Sequence, residues 1–208
     1  MNDIRAAIAA ERRDLAAVLA GLSPEQWDEP TLCDGWRVRE VVAHMTMAFR
    51  YSLPKVALGL LMARGDFNRA ADRFARRDAG RMTPAQLTAS LGQNANHPWK
   101  PPGGGHEGAL AHDVIHGLDI TVPLGLDRKV PEDRLRPALP DDPSDRSVAF
   151  FGADLDGVEF RADDLDWTFG SGTPVHGSAQ DLLLAICGRK LPRGRLRGAP
   201  AARFTIVR

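Results

Sequence analysis

Cysteine is scarce in this chain: there are two among 208 residues, Cys33 and Cys187. They lie far apart and form no CxxC pair, which excludes a dithiol redox motif and a cysteine zinc knuckle. Two isolated thiols read as reduced side chains of a cytoplasmic protein. An excess of one charge sign is missing too. The 27 basic and 27 acidic residues cancel to a formal net charge of +0, which gives no support to broad binding of nucleic acid or of an anionic membrane. Long hydrophobic runs are absent. Residues 4–22 are interrupted by Glu11, Arg12, Arg13 and Asp14, so they do not read as a membrane span, and residues 1–5 read as lacking a signal-peptide core. What is present is ample core material. At 43% hydrophobic and 26% charged residues, the chain is expected to fold as one large domain or a domain with a small appendage.

The first two thirds read as helices. Ile4, Ile8, Leu15, Val18, Leu19 and Leu22 mark one stripe at helical spacing over residues 3–22, with the charges largely off it. Ser23-Pro24-Glu25-Gln26 and Thr83-Pro84-Ala85-Gln86 are helix starts: a hydroxyl N-cap, proline in the first turn and a glutamine that closes a capping box. Asp34 is the expected cap of a long helix over about residues 36–61, with Pro54 as a break point, and Val38, Val41, Val42, Met45 and Phe49 on its apolar face. Residues 65–80 carry many charges around Phe67 and Phe74 and are expected to be a solvated connection with some helix; their arginines are candidates for holding carboxylates. Residues 97–106 are rich in proline and glycine and form a loop, either a lid or a plain connection. A further helix is expected over about residues 107–122, ending before Pro123.

From residue 148 the texture changes. Residues 158–162 and 165–169 alternate apolar and polar side chains and predict strands. Residues 179–188 predict a helix capped by Gly188, and residues 202–207 a last short strand. The expected division is a helical bundle over 1–147 and a small α/β unit over 148–208.

His112 and His116 stand four residues apart on the helix over 107–122. That spacing stacks them on one face, where two imidazoles can reach one metal ion at about 2.0–2.1 Å. His44 lies between Val41 and Met45, beside an apolar face, and supplies a third imidazole from another helix. Three protein nitrogens leave a fourth position open, as catalytic metal sites do. Asp119, three residues after His116, is a candidate to orient it or to close a salt bridge. Neither cysteine is expected to act as a nucleophile.

Thr31-Leu32-Cys33-Asp34-Gly35-Trp36, with Val41, Val42 and His44 behind it, then His112-Asp113-Val114-Ile115-His116-Gly117-Leu118-Asp119 and Pro123-Leu124-Gly125, resemble the mycothiol-dependent maleylpyruvate isomerase family of actinobacteria. That family belongs to the DinB-like, YfiT-like metal-binding bundles. Phe160-Arg161-Ala162, Asp166-Trp167 and Gly188-Arg189 look like the small C-terminal α/β unit that many members carry. The resemblance implies a mostly α fold, an up-down four-helix bundle with that appendage. It implies a divalent metal, zinc first and nickel or another ion as alternatives, with His44, His112 and His116 as ligands. Members similar to the isomerase carry glutamate where this chain has His112, so the ligand set here is closer to the all-histidine set of the wider group. The expected function is a metal-dependent, mycothiol-using transferase or isomerase acting on a small electrophile, as a cytoplasmic monomer or homodimer with no nucleic-acid or membrane partner. A metal-dependent hydrolase and a non-catalytic metal-binding protein are the alternatives.

Overall fold

The computed structural model describes residues 3–142 and 146–206. Its helical part runs α1 (Ile4–Ala20), α2 (Val38–Arg50), α3 (Leu53–Met62), α4 (Phe67–Ala79), α5 (Pro84–Gln93) and α6 (Gly105–Thr121). Four of these make the bundle: α1 packs on α5 and α6, and α2 closes the ring against the same two helices. Helix α4 lies outside, on α2, and α3 lies on α4. The protein is therefore mostly α, a four-helix bundle with a small C-terminal α/β appendage.

The start signals act as expected at α5, where Thr83 accepts from the Gln86 amide and the Gln86 side chain returns to the Thr83 amide. Helix α2 differs. Its cap is Arg37, whose amide donates to Glu40, and Asp34 stays in the preceding turn. The long helix expected over 36–61 is two helices, and Pro54 sits in the first turn of the second, where a missing N–H costs nothing. The charged run over 65–80 is a full helix. Its alanines, Phe74 and Asp78 are buried and most of its other charges face outward, so a run of polar letters conceals a narrow apolar stripe.

After α6 the chain passes through α7 (Glu132–Leu135) and α8 (Arg146–Phe151) to β1 (Val158–Ala162), β2 (Thr168–Gly170), β3 (Thr173–Gly177) and α9 (Ala179–Ile186). The sheet order is β2-β1-β3, with β1 antiparallel to β2 and parallel to β3. The strand expected over 165–169 shrinks to β2, and β3 arises where no strand was expected, because Thr173 to Gly177 pair with β1. The tail is a 3-10 turn, Ala199–Phe204, followed by a single bridge from Thr205 to Leu191. Val207, the end of the strand expected there, lies outside the described residues.

Two apolar clusters fill the molecule. One joins Leu15, Leu19, Val41, Val42, Met45, Leu87 and Leu91 inside the bundle. The other runs without a break from Ile8, Leu110, Val114 and Leu118 on α1 and α6 to Phe160, Val175, Leu182 and Leu184 in the C-terminal part. Helix α6 thus has one apolar side in each cluster, which fixes the direction of its remaining face.

Candidate metal centre

That face carries His112 and His116, and it meets His44 of α2. The three ring centroids stand 5.3 Å (His44 to His112), 5.0 Å (His44 to His116) and 4.6 Å (His112 to His116) apart. One ligand nitrogen from each ring lies within 4.8 Å of the others. The Nε2 atoms of His44 and His112 are 3.3 Å apart. Two nitrogens bound tetrahedrally to one ion at about 2.0–2.1 Å would stand about 3.3–3.4 Å apart, so this spacing fits a shared cation. The rings of His112 and His116 are 16% and 13% exposed, which leaves an opening toward solvent.

His112 and His116 are each held by a buried carboxylate. His112 Nδ1 is 3.0 Å from Asp113 Oδ1, and His116 Nδ1 is 3.0 Å from Asp119 Oδ2. A carboxylate can only accept here, so each Nδ1 carries the proton and each Nε2 presents its lone pair. Each carboxylate is in turn neutralised by a buried arginine. Arg12 of α1 donates Nε–H to Asp113 at 2.6 Å. Arg189 donates to both oxygens of Asp119, from Nε at 2.9 Å and from Nη2 at 2.8 Å. Arg12 also donates to the carbonyls of Ala95 and His97, which ties the start of the loop over 94–104 to the site. Indoles flank the rings: Trp36 lies 5.2 Å from His44 and Trp99, on that loop, 5.0 Å from His112. His44 Nδ1 is buried with no partner among the described residues.

The surroundings of His44 and His116 keep these two rings neutral, the form that can ligate. Burial holds His44 well below its usual value, and His116 and His112 add to the effect. Burial likewise takes His116 down to about 4, against the opposing hydrogen bond to Asp119. Burial alone would raise the Asp119 carboxyl, but Arg189 and His116 outweigh it and hold it well below the carboxylate range. Cys33 donates its thiol proton to Asp119 Oδ2 at 3.0 Å, beside His116. Burial, with the Asp119 charge next, pushes that thiol up, and the thiolate is therefore disfavoured.

Residues 8–98 match the family model described as the mycothiol maleylpyruvate isomerase N-terminal domain. Over these residues the chain is similar to the mycothiol maleylpyruvate isomerase family. The matched segment reaches from α1 to the loop before α6 and contains His44. Two solved structures of mycothiol-dependent maleylpyruvate isomerase share the fold over 97% of this chain and 97% of theirs. One, a histidine-to-alanine mutant, has 14% identity and a TM-score of 0.55. The other has 15% identity and a TM-score of 0.53. Identities so low speak to the fold alone. No curated protein matches the chain.

Relative to the sequence, the structure brings together His44, His112, His116 and Asp119, and Asp119 serves both expected uses at once. His97 contributes a carbonyl to Arg12 while its ring faces Phe49, and His106 lies near the start of α1; neither joins the cluster. Four participants escaped sequence reasoning: Arg12, Asp113, Cys33 and Arg189. Asp113 was readable in part, since it directly follows His112. The others stand 70 to 156 residues away from their partners, a separation that no local spacing reports. The C-terminal appendage thus reaches the site through Arg189.

Proposed function

We propose that this chain is a divalent-metal-dependent, mycothiol-using transferase or isomerase for a small electrophilic substrate, with His44, His112 and His116 as the metal ligands and zinc as the first expectation. The observation that carries this reading is the convergence of three imidazoles, two with Nε2 atoms 3.3 Å apart and two fixed through Nδ1 by paired carboxylates. A bound divalent ion would supply a Lewis acid able to keep a thiol as its thiolate at neutral pH.

The residues of the chain do the rest. Asp113 and Asp119 aim the two α6 rings and set their tautomers. Arg12 and Arg189 neutralise those carboxylates, so the three-histidine set is balanced by no net charge from behind. A site of this charge favours an anionic fourth partner such as a thiolate. Trp36 and Trp99 present apolar faces beside the rings and limit water there. Cys33 holds its proton toward Asp119 and faces the back of His116, so the nucleophilic thiol comes from outside the chain.

The test is metal analysis of protein purified without added metal, followed by calorimetric titration of the zinc-loaded protein with mycothiol. About one ion per chain, lost in His44→Ala, together with heat on thiol addition, is the expected result. Stoichiometric metal with no thiol binding, and ester or amide turnover without thiol, would replace this reading with a hydrolase.

A further inference from the structure

Helix α3 has no buried residue, although it is the most apolar helix outside the core. Leu53, Leu58, Leu61 and Met62 are 85%, 57%, 75% and 67% exposed, and Phe67 at the start of α4 is 50% exposed. The helical positions of the four α3 residues place them on one side with Pro54 and Ala57, and exposed Lys55, over the Tyr51 ring, stands at its edge beside Met62. The opposite side bears Val56, Gly59 and Leu60, which are partly covered, and Gly59 approaches the Phe74 ring of α4. The exposed side is a convex ridge about 15 Å long. A soluble helix shows polar residues on its outer side; one that is apolar there requires a cover.

Charge identifies the cover. Residues 50–81 hold eight arginines and lysines against three aspartates, an excess of five in a chain whose 27 cations and 27 anions otherwise cancel. All three aspartates are occupied: Asp66 caps α4, Asp72 takes Trp36 and Arg76, and Asp78 takes Arg50 and Tyr51. Arg64, Arg69 and Arg73 are exposed and have no carboxylate partner among the described residues. Arg73 donates to the Met62 carbonyl, so it lies against the ridge itself. A second copy of the chain would bring five excess positive charges against five more, which opposes an isologous contact. An apolar ridge rimmed by unpaired arginines complements a surface with anionic heads over apolar chains.

We propose that α3 and the adjoining end of α4 form a docking surface for an anionic lipid bilayer, the leucines and Met62 entering the headgroup boundary and Arg64, Arg69 and Arg73 meeting lipid phosphates. Whole-chain neutrality conceals this, because the balancing acidic residues lie elsewhere. Docking here leaves α6 and its histidines on other faces of the bundle.

The experiment is co-sedimentation of the full chain with vesicles of phosphatidylcholine alone and of phosphatidylcholine mixed with phosphatidylglycerol, beside sedimentation velocity without lipid. Expected is binding to the mixed vesicles that weakens with salt. Leu58→Glu with Leu61→Glu lowers it at least about tenfold. Each of Arg64→Gln, Arg69→Gln and Arg73→Gln lowers it up to about fivefold. These side chains are exposed, and an unchanged melting temperature verifies that the variants fold. Absence of vesicle binding, equal binding to neutral and mixed vesicles, or a concentration-dependent dimer abolished by the same leucine changes would each overturn the proposal.

Discussion

Arg189 and Asp119 show how one residue can serve both a site and the stability of the chain. Asp119 is fully buried and its charge is met by Arg189. Arg189→Ala leaves that carboxylate unpaired, a loss expected to cost about 3–5 kcal/mol in denaturant unfolding. Asp119→Ala frees the His116 ring, and metal affinity measured against a chromophoric chelator is expected to fall about 10–100-fold. A parallel effect is expected with pH. In the metal-free protein His116 titrates near 4 when folded and 6.5 when unfolded. Between those values only the unfolded chain takes the proton, so acidification costs stability, up to about 3 kcal/mol by pH 4. Asp119 adds to the loss at lower pH, since its folded value is depressed below 3.8 and its stabilising charge disappears as the pH falls. Thermal melts of chelator-treated protein from pH 8 to pH 4 check the slope, and a flat profile would contradict a neutral buried His116. The three clustered histidines were legible because two share a helical spacing and the third sits beside an apolar stripe. Arg12 and Arg189 were not, because what makes them part of the site is a pairing across the fold.

At the scale of elements, the strong local signals survived and the weak ones changed. The hydroxyl-proline start of α5 and the stripe of α1 depend on neighbours three or four residues away, which a sequence displays. Strand β3 depends on β1 for its pairing, and α4 on α2 for its apolar stripe, so each was legible only in part. Gly59 tests how α3 is held. A Cβ there would stand 2.3 Å from Phe74 Cζ and 2.5 Å from Cε2, and Phe74 is buried. Gly59→Ala gains up to about 1 kcal/mol of helix propensity, but overpacking against a buried ring costs about 1–3 kcal/mol. The clash wins by this comparison. The expected outcome is a small net destabilisation with faster amide exchange confined to α3 and the adjoining turn of α4. Slower exchange there would mean that α3 shifts freely on α4.

At the scale of the molecule, a change of texture at residue 148 suggested two units, 1–147 and 148–208, yet the side chains do not respect that division. The cluster that begins at Ile8 and Leu110 ends at Leu184 and Phe204 without interruption. Buried Gln180 contacts reinforce the join, for Gln180 donates to the Arg128 carbonyl and accepts from the Val130 amide. Gly188, with φ of +77°, ends α9 and turns the chain so that Arg189 reaches Asp119. Cutting at residue 147 would therefore uncover large apolar side chains of α6 at about 1.5–3 kcal/mol each and strand the Asp119 charge at about 3–5 kcal/mol. Two or three such side chains and one such charge match the whole stability of an ordinary domain, about 5–15 kcal/mol. A fragment of residues 1–147 is therefore expected to lack a cooperative melt and to lose metal retention, even though it keeps His44, His112 and His116. A fragment that melts cooperatively and binds metal as the full chain does would show that the bundle stands alone and that Arg189 only decorates it.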